Sequence, residues 1–274
     1  LIAAKRKQIA LMRDNLKSAV AYYTTHGLGN HELCQSEIYW LMHYPNDWRV
    51  TRLRYILEKH RREVTPNAEL LICSNSGEVV KRGDGKLGLV ASSDDIYQGV
   101  TAGDLLIHGM DTWHGAIAIS SFDGMCTPVV HVCTCKEEKR YVAYYLKMMA
   151  YTKVFKAISN GVRQNTSDFR SWDKVGDLLI CLPTHDEQVA IADKLDYPVV
   201  LRPAYTMGGA GGGLVYNKEE LKTVCARGLQ ASLVGQVLVE ESILGWEELE
   251  LEVVRDKDNN MITVCFIENI DPLG

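Results

Sequence analysis

The stretch Arg202-Pro-Ala-Tyr-Thr-Met-Gly-Gly-Ala-Gly-Gly-Gly213 follows an apolar run, Pro198–Leu201, that predicts a β-strand. Five of the last six residues of this stretch are glycine. Each glycine costs up to about 1 kcal/mol more to order than alanine, so a purely structural turn rarely needs so many. Glycines let backbone N–H groups approach and surround phosphate oxygens, and Arg202 adds a positive charge. The loop therefore predicts a nucleotide-binding segment, with a flexible hairpin loop as the alternative.

The surroundings of the loop exclude two common phosphate-binding motifs. No Gly-Lys-Ser/Thr follows, as a Walker loop requires, and the next element is predicted to be a strand, whereas a Rossmann fingerprint is followed by a helix. The predicted elements after the loop are a strand at Gly213–Tyr216, a helix at Lys218–Arg227, strands at Val237–Glu240, Glu248–Arg255 and Met261–Glu268, and a hairpin turn at Asp258-Asn-Asn260.

A second candidate feature is a group of glutamates near the end of the chain. Glu241 and Glu248 flank the apolar run Ser242-Ile-Leu-Gly-Trp246. Carboxylates beside an apolar patch suit the ribose hydroxyls and amino group of an adenosine. Alternation along the predicted strand would place Glu248, Glu250 and Glu252 on one face. For Glu252 the alternative is an ordinary solvated carboxylate.

This part of the chain resembles the ATP-grasp domain of the carbamoyl-phosphate synthetase large subunit. The resemblance rests on the glycine-rich stretch together with Cys225-Ala-Arg-Gly-Leu229, Glu241-Ser-Ile-Leu-Gly-Trp246, Glu250-Leu-Glu-Val-Val-Arg-Asp-Lys257 and Ile267-Glu-Asn-Ile-Asp-Pro-Leu-Gly274. It implies ATP as the ligand. The implied contacts to the ATP phosphates are Arg202, Gly208 and Gly209. The implied contacts to the adenosine are Glu241, Ile243 and Glu248, and Gly274 begins the next segment that contacts the nucleotide.

The same resemblance implies limits on activity. The family's magnesium-binding Gln, Glu and Asn would lie beyond Gly274, and phosphoryl transfer needs a metal to bridge the phosphates. We therefore expect no independent carbamoyl-phosphate synthesis, and we predict no catalytic residue and no metal site within the chain.

The charge distribution separates this segment from the rest of the chain. Residues 197–274 carry 6 basic and 12 acidic side chains, whereas residues 1–196 carry 24 and 23. All eight histidines also precede residue 197. Such a shift in composition predicts two modules. The eight cysteines show no zinc or redox spacing, and no signal peptide is visible, so we expect free thiols in a reducing cytoplasm. The chain does not begin with Met, which suggests a natural start further upstream.

The first 196 residues alternate between helix and strand patterns. Ile2, Ile9 and Leu16 are seven residues apart and predict a helix over residues 1–20 that packs on another helix, or an amphipathic helix on its own domain. Gly27-Leu-Gly29 is expected to end it. The other predictions are strands at Leu70–Cys73, Gly88–Ala91, Asp104–His108, Gly115–Ile119 and Val129–Cys133, and helices at residues 140–158 and Asp186–Leu195.

Two features of this half could be functional. His108, Asp111 and His114 could form a metal cluster, but alternation would place Asp111 opposite the histidines, so a polar turn between two strands is favoured. Basic and aromatic residues are interleaved at Trp48–Tyr55 and at Tyr151–Lys156. Interleaving suits a nucleic-acid surface. Charge alone favours a solvated face, because this half is nearly neutral.

Residues 1–196 resemble the specificity subunit of type I restriction-modification enzymes. The matching pieces, in order, are Leu1–Met12, Ile38–Leu41, Pro45–Trp48, Arg52–Tyr55, Gly103-Asp104, Met110-Asp111, Gly115, Asp123-Gly124, Pro128, Leu182-Pro183, Glu187-Gln188 and Ile191–Asp193. The resemblance implies a mixed α/β target recognition domain joined to a coiled-coil-type helix. Its implied partners are duplex DNA and the modification and restriction subunits. The base-contacting residues stay unknown.

We therefore expect an α/β (α+β) chain with three parts. These are a helix segment at residues 1–28, a DNA target recognition domain at residues 36–190 and a partial ATP-grasp segment at residues 191–274. The two resemblances meet near Ile191–Asp196, which suggests a chimeric or truncated reading frame. The alternative is an ATP-binding ligase fragment of pyrimidine or arginine biosynthesis with a non-functional N-terminal half. No apolar run reaches the roughly 18 residues of a membrane span.

Overall fold

The computed structural model describes residues 2–82, 97–159, 168–206, 210–242 and 248–269. The chain divides into two compact units, residues 1–195 and residues 196–274. Each unit combines helices with antiparallel strands, which confirms the predicted mixed α/β class. The predicted strand at Gly88–Ala91 lies outside the described residues.

The N-terminal unit contains most of the described elements. Its helices are α1 (Ile2–His26), α2 (Leu53–Ile56), α3 (Lys139–Tyr151), α4 (Val154–Ile158), α5 (Trp172–Gly176) and α6 (His185–Asp196), whose last residue is the first of the C-terminal unit. Its strands are β1 (Leu33–Gln35), β2 (His43–Pro45), β3 (Arg49–Arg52), β4 (Leu57–His60), β5 (Leu71–Cys73), β6 (Val79–Lys81), β7 (Gln98–Val100), β8 (Leu105–His108), β9 (Ile117–Ile119), β10 (Gly124–Cys126), β11 (Val130–Cys135) and β12 (Leu179–Leu182).

Helix α1 is longer than the sequence pattern predicts, but it ends where expected. Gly27 adopts a left-handed φ of 77° and donates its N–H to the carbonyl of Tyr23, which closes the last turn. Val20 near this end is buried, whereas Leu11 and Leu16 are exposed. The C-terminal turns of α1 pack on α3, and the Tyr141 hydroxyl reaches the carbonyl of Thr24.

The centre of the N-terminal unit is an antiparallel sheet in the order β4-β11-β8-β9. Leu105, Ile107 and Cys133 face a core that includes α3, whereas Leu106 and Val132 face a second core with β5 and β10. Because both faces of the sheet are covered, β8 opens with three consecutive buried apolar residues, Leu105–Ile107, and β11 keeps even its polar His131 buried.

The segment predicted to be helical over residues 140–158 is helical, but it breaks into α3 and α4 at residues 152–153. Thr152 ends α3 by donating both its N–H and its hydroxyl to the carbonyl of Met148. Lys153 then takes a left-handed φ of 63°, which no helix interior accommodates. The buried face of α3 is nevertheless aromatic, and the fully buried Tyr141 donates its hydroxyl to the carbonyl of Cys181 at 2.7 Å.

The C-terminal unit follows the predicted alternation closely. Its elements are β13 (Val199–Pro203), β14 (Gly213–Val215), α7 (Lys218–Ala231), β15 (Val237–Glu241), β16 (Glu248–Arg255) and β17 (Met261–Asn269). Strand β13 lies between β14 and β15, and both pairings are antiparallel. Strands β16 and β17 form a separate hairpin.

Local side chains explain the start of α7 and the turn of the hairpin. The side chain of Asn217 accepts a hydrogen bond from the N–H of Glu220, which caps α7 at its first turn. In the predicted hairpin turn, the Asp256 carboxylate accepts from the N–H groups of Asp258 and Asn260. Asn259 takes the left-handed φ of 70° that this turn needs.

Among the described residues, no helix has both the length and the apolar character needed to cross a bilayer. All eight cysteines are free thiols, as predicted. Burial raises the pKa of Cys73, Cys126, Cys133 and Cys181 to about 12, so these four sulfurs are protonated at neutral pH.

Candidate nucleotide-binding site

The glycine-rich loop joins the central strand of the C-terminal sheet to its neighbour. It leaves β13 at Pro203 and enters β14 at Gly213. These strands pair so that Leu201 lies opposite Gly213. The described part of the loop comprises two arms, residues 203–206 and residues 210–213, and residues 207–209 lie outside the described residues.

Arg202 lies on β13 immediately before the first arm. Its Nε is 2.6 Å from Oε2 of Glu240 on the adjacent strand β15. Both side chains are partly exposed, although Oε2 of Glu240 itself is buried. An ion pair between partly exposed side chains contributes little net stability. A guanidinium has five N–H donors, and the pair engages the Nε side of the group.

The other predicted contacts are distributed over several elements. Glu241 is the last residue of β15 and pairs with Val199. Glu248 is the first residue of the β16–β17 hairpin, where it pairs with Asn269. Gly208, Gly209, Ile243 and Gly274 lie outside the described residues. The backbone therefore places Arg202 and Glu241 on neighbouring strands.

Two residues that were not predicted as functional, one in helix α7 and one at its C-cap, hold the two arms. Arg227 Nη2 donates to the carbonyl of Gly212 at 3.0 Å, and Ser232 Oγ donates to the carbonyl of Ala204 at 2.9 Å. Arg227 lies within Cys225–Leu229, one of the runs that carry the family resemblance, but the sequence alone did not indicate that Arg227 contacts the loop. Ser232 had no such signal.

The candidate metal cluster of the N-terminal unit is a turn. The expectation that Asp111 lies opposite His108 is wrong, because β8 ends at His108 and a 3-10 turn, Thr112–His114, follows. His108 Nδ1 is consequently 3.2 Å from Oδ2 of Asp111. Burial lowers the pKa of His108, and the charge of Asp111 opposes that shift. Across the described ranges no three His, Cys, Asp or Glu side chains are grouped to hold a metal ion.

The basic and aromatic residues of the N-terminal unit are largely engaged within it. Arg49 pairs with Glu137 at 2.7 Å. Arg52 and Arg54 both reach Oδ1 of Asp177, at 2.8 and 2.9 Å. Arg49, Arg52 and Arg54 therefore each lie beside a carboxylate, and an arginine paired in this way adds little positive potential to the surface.

In the second interleaved run, Tyr151–Lys156, aromatic and basic side chains also make contacts within the N-terminal unit. Phe155 is buried in the main core. Lys156 is exposed and holds its Nζ 5.5 Å from the centre of the Trp113 ring, within the range of a cation–π contact. Trp48 and Phe155 are therefore core residues, whereas Tyr55 is exposed next to Arg54 in the sequence.

Comparison with known proteins separates the two halves of the chain. Residues 177–274 match the family model of the carbamoyl-phosphate synthase L chain, ATP binding domain. This segment is 55% identical over 92 residues to the carbamoyl phosphate synthase large chain of Archaeoglobus fulgidus, a match that covers 33% of this chain and 9% of that protein. The arginine-specific chloroplastic large chain of Arabidopsis thaliana is also 55% identical over 92 residues, which is 33% of this chain and 8% of that protein.

The synthase-like segment therefore spans less than a tenth of the length of these curated relatives. The match covers β13–β17, α7 and the whole glycine-rich loop, and it extends back through α6 and β12 into the N-terminal unit. The resemblance recognised in the sequence is thus confirmed for the C-terminal segment.

Two solved structures similar to the chain come from type I restriction-modification systems. The HsdS subunit of Thermoanaerobacter tengcongensis is 14% identical with a TM-score of 0.41, covering 85% of this chain and 50% of that one. A chain from a structure on the assembly and conformational transition of the type I R-M system is 15% identical with a TM-score of 0.45, covering 71% of this chain and 46% of that one. Overlaps this loose assign no role to any residue.

Proposed function

We propose that residues 196–274 provide an ATP-binding surface in which the glycine-rich loop holds the phosphates. Arg202, Gly208 and Gly209 contact the phosphates, Glu241, Ile243 and Glu248 hold the adenosine, and Gly274 begins the next contact. The observation that carries the proposal is the placement of the loop between two antiparallel strands, with Arg202 at its start. The match of residues 177–274 to the family model of the synthase ATP binding domain supports ATP as the nucleotide.

The chemistry of the loop fits a polyanion. Glycine backbone without side chains exposes N–H donors that phosphate oxygens accept, and a nearby guanidinium adds charge in a planar, forked geometry. Residues 197–274 carry 12 acidic and 6 basic side chains, so Arg202 is a positive charge within an acidic segment. Mg²⁺ would accompany the triphosphate, and we assign none of the described residues to it. We propose no phosphoryl transfer by this chain.

The roles predicted for the N-terminal unit stay predictions of the sequence resemblance. These roles are recognition of duplex DNA and docking of modification and restriction subunits. The division of the chain into a helix segment, a recognition domain and an ATP-binding segment at residues 1–28, 36–190 and 191–274 is likewise a proposal. So are a chimeric origin and a cytoplasmic location.

Calorimetric titration of the full chain with Mg-ATP tests the proposal. We expect saturable binding of one nucleotide per chain, and weaker binding of adenosine, because adenosine lacks the phosphates that the loop would hold. Absence of binding heat at millimolar ATP, at two temperatures, would contradict the proposal.

A further inference from the structure

We propose that the C-terminal end of helix α7, residues 227–232, is a clamp that fixes both arms of the glycine-rich loop. Arg227 and Ser232 are then positioning residues for phosphate binding. This inference rests on the proposed ATP site and deepens it, since it names what holds the loop ready for its ligand.

The first arm is held through the backbone of Ala204. Its carbonyl accepts from Ser232 Oγ at 2.9 Å, and its N–H donates to the carbonyl of Gln236 at 2.9 Å. Ser232 Oγ also accepts from the N–H of Gln236 at 3.2 Å. Because Ser232 is buried, these bonds are shielded from competing water. The first arm is therefore tied through the carbonyl of Ala204 to the C-cap of α7 and through its N–H to the residue before β15.

The second arm is held from the preceding turn of the same helix. Arg227 Nη2 donates to the carbonyl of Gly212 at 3.0 Å. Gly211 adopts a left-handed φ of 80°, and a Cβ at this position would lie 2.6 Å from the Cβ of Ala231. The second arm thus touches the helix backbone closely enough to exclude any side chain at Gly211.

Gly228 completes the clamp because it contacts both arms. A Cβ at Gly228 would lie 3.1 Å from Cγ of Pro203 on the first arm and 3.3 Å from the carbonyl oxygen of Gly211 on the second. It would also lie 3.0 Å from Cγ2 of Val237. A glycine inside a helix costs about 1 kcal/mol relative to alanine, and the close approach of both arms explains why the helix carries one here.

The consequence is a loop whose ends are fixed before the ligand arrives. Ordering a flexible loop on binding costs free energy that reduces affinity, and a loop with clamped ends avoids much of that cost. Arg227 and Ser232 both donate to carbonyls of the two loop arms, so the loss of these bonds should affect phosphate binding more than adenosine binding. That difference separates positioning from a general structural role.

The test compares Arg227→Gln and Ser232→Ala with the control Lys222→Gln, which changes an exposed basic residue on the same helix. Losing one hydrogen bond of about 1 kcal/mol corresponds to about a fivefold effect. We expect each clamp variant to bind Mg-ATP about fivefold more weakly with adenosine affinity unchanged, and Arg227→Lys to recover part of the loss. Unchanged ATP affinity, or equal losses for ATP and adenosine, would overturn the inference.

Hydrogen exchange measured without nucleotide tests the clamp independently of ATP binding. We expect faster exchange at the amides of residues 204–206 and 210–213 in the two clamp variants than in Lys222→Gln. Equal exchange in all three would refute the clamp. If the unmodified chain fails to bind ATP while the exchange differs as expected, the proposed function fails and the clamp stands.

Discussion

Replacing Arg202 by alanine is expected to weaken Mg-ATP binding by at least about tenfold. A hydrogen bond to a charged group contributes about 1.5–3 kcal/mol, which corresponds to about ten- to more than a hundredfold in affinity. Arg202 is half-exposed at the start of the loop, where its guanidinium can meet a phosphate without being released from a core. Titration calorimetry with Mg-ATP measures the loss, and circular dichroism checks that the sheet persists.

The ion pair with Glu240 supplies the matched control for this variant. If Arg202 acts by joining β13 to β15, Glu240→Gln should weaken ATP binding as much as Arg202→Ala does. If Arg202 acts on phosphate, Glu240→Gln should leave the affinity unchanged or raise it, since a competing negative charge 2.6 Å from Nε is removed. Equal losses in the two variants would reject a phosphate role for Arg202.

Replacing Arg62 by methionine is expected to lower the free energy of unfolding of the N-terminal unit by about 3 kcal/mol, because removing one partner leaves the other charge buried and unpaired. The Asp104 carboxylate is only 4% exposed. It accepts from Arg62 at 2.5 and 3.1 Å and from the N–H of Thr101 at 2.7 Å. Without the guanidinium, one backbone donor alone would have to stabilise a buried carboxylate.

Urea unfolding followed by tryptophan fluorescence measures this loss, since four of the five tryptophans lie in the N-terminal unit. Asp104→Asn in the Arg62→Met background should recover part of the stability, because the buried charge is then gone. Surface substitutions usually change the free energy of unfolding by less than about 0.5 kcal/mol. A change this small for Arg62→Met would show that the Asp104 carboxylate is hydrated or otherwise compensated.

The elements of the C-terminal unit could be predicted because their determinants are local. Strand β13 is a short apolar run, α7 has an asparagine cap, and the Asp256–Asn260 turn is made by side chains within five residues of one another. Patterns of this kind are visible in a single stretch of sequence.

The contacts that organise the site depend on tertiary placement, which no local pattern contains. Arg202 meets Glu240 only because β13 and β15 adopt one particular register. Ser232 and Ala204 are 28 residues apart, and their bond joins a side chain to a carbonyl that any residue would offer. In the N-terminal unit, the break between α3 and α4 similarly depends on the backbone of Lys153, a residue with no strong tendency to end a helix.

The central claim, that the glycine-rich loop binds the phosphates of ATP, is tested most directly by hydrogen exchange of the full chain with and without Mg-ATP. The account predicts slower exchange at the amides of residues 204–206 and 210–213, with residues 97–159 unchanged. Adenosine alone should give little protection of those arms. Unchanged exchange in both arms at saturating ATP, or protection confined to residues 1–195, would contradict the claim.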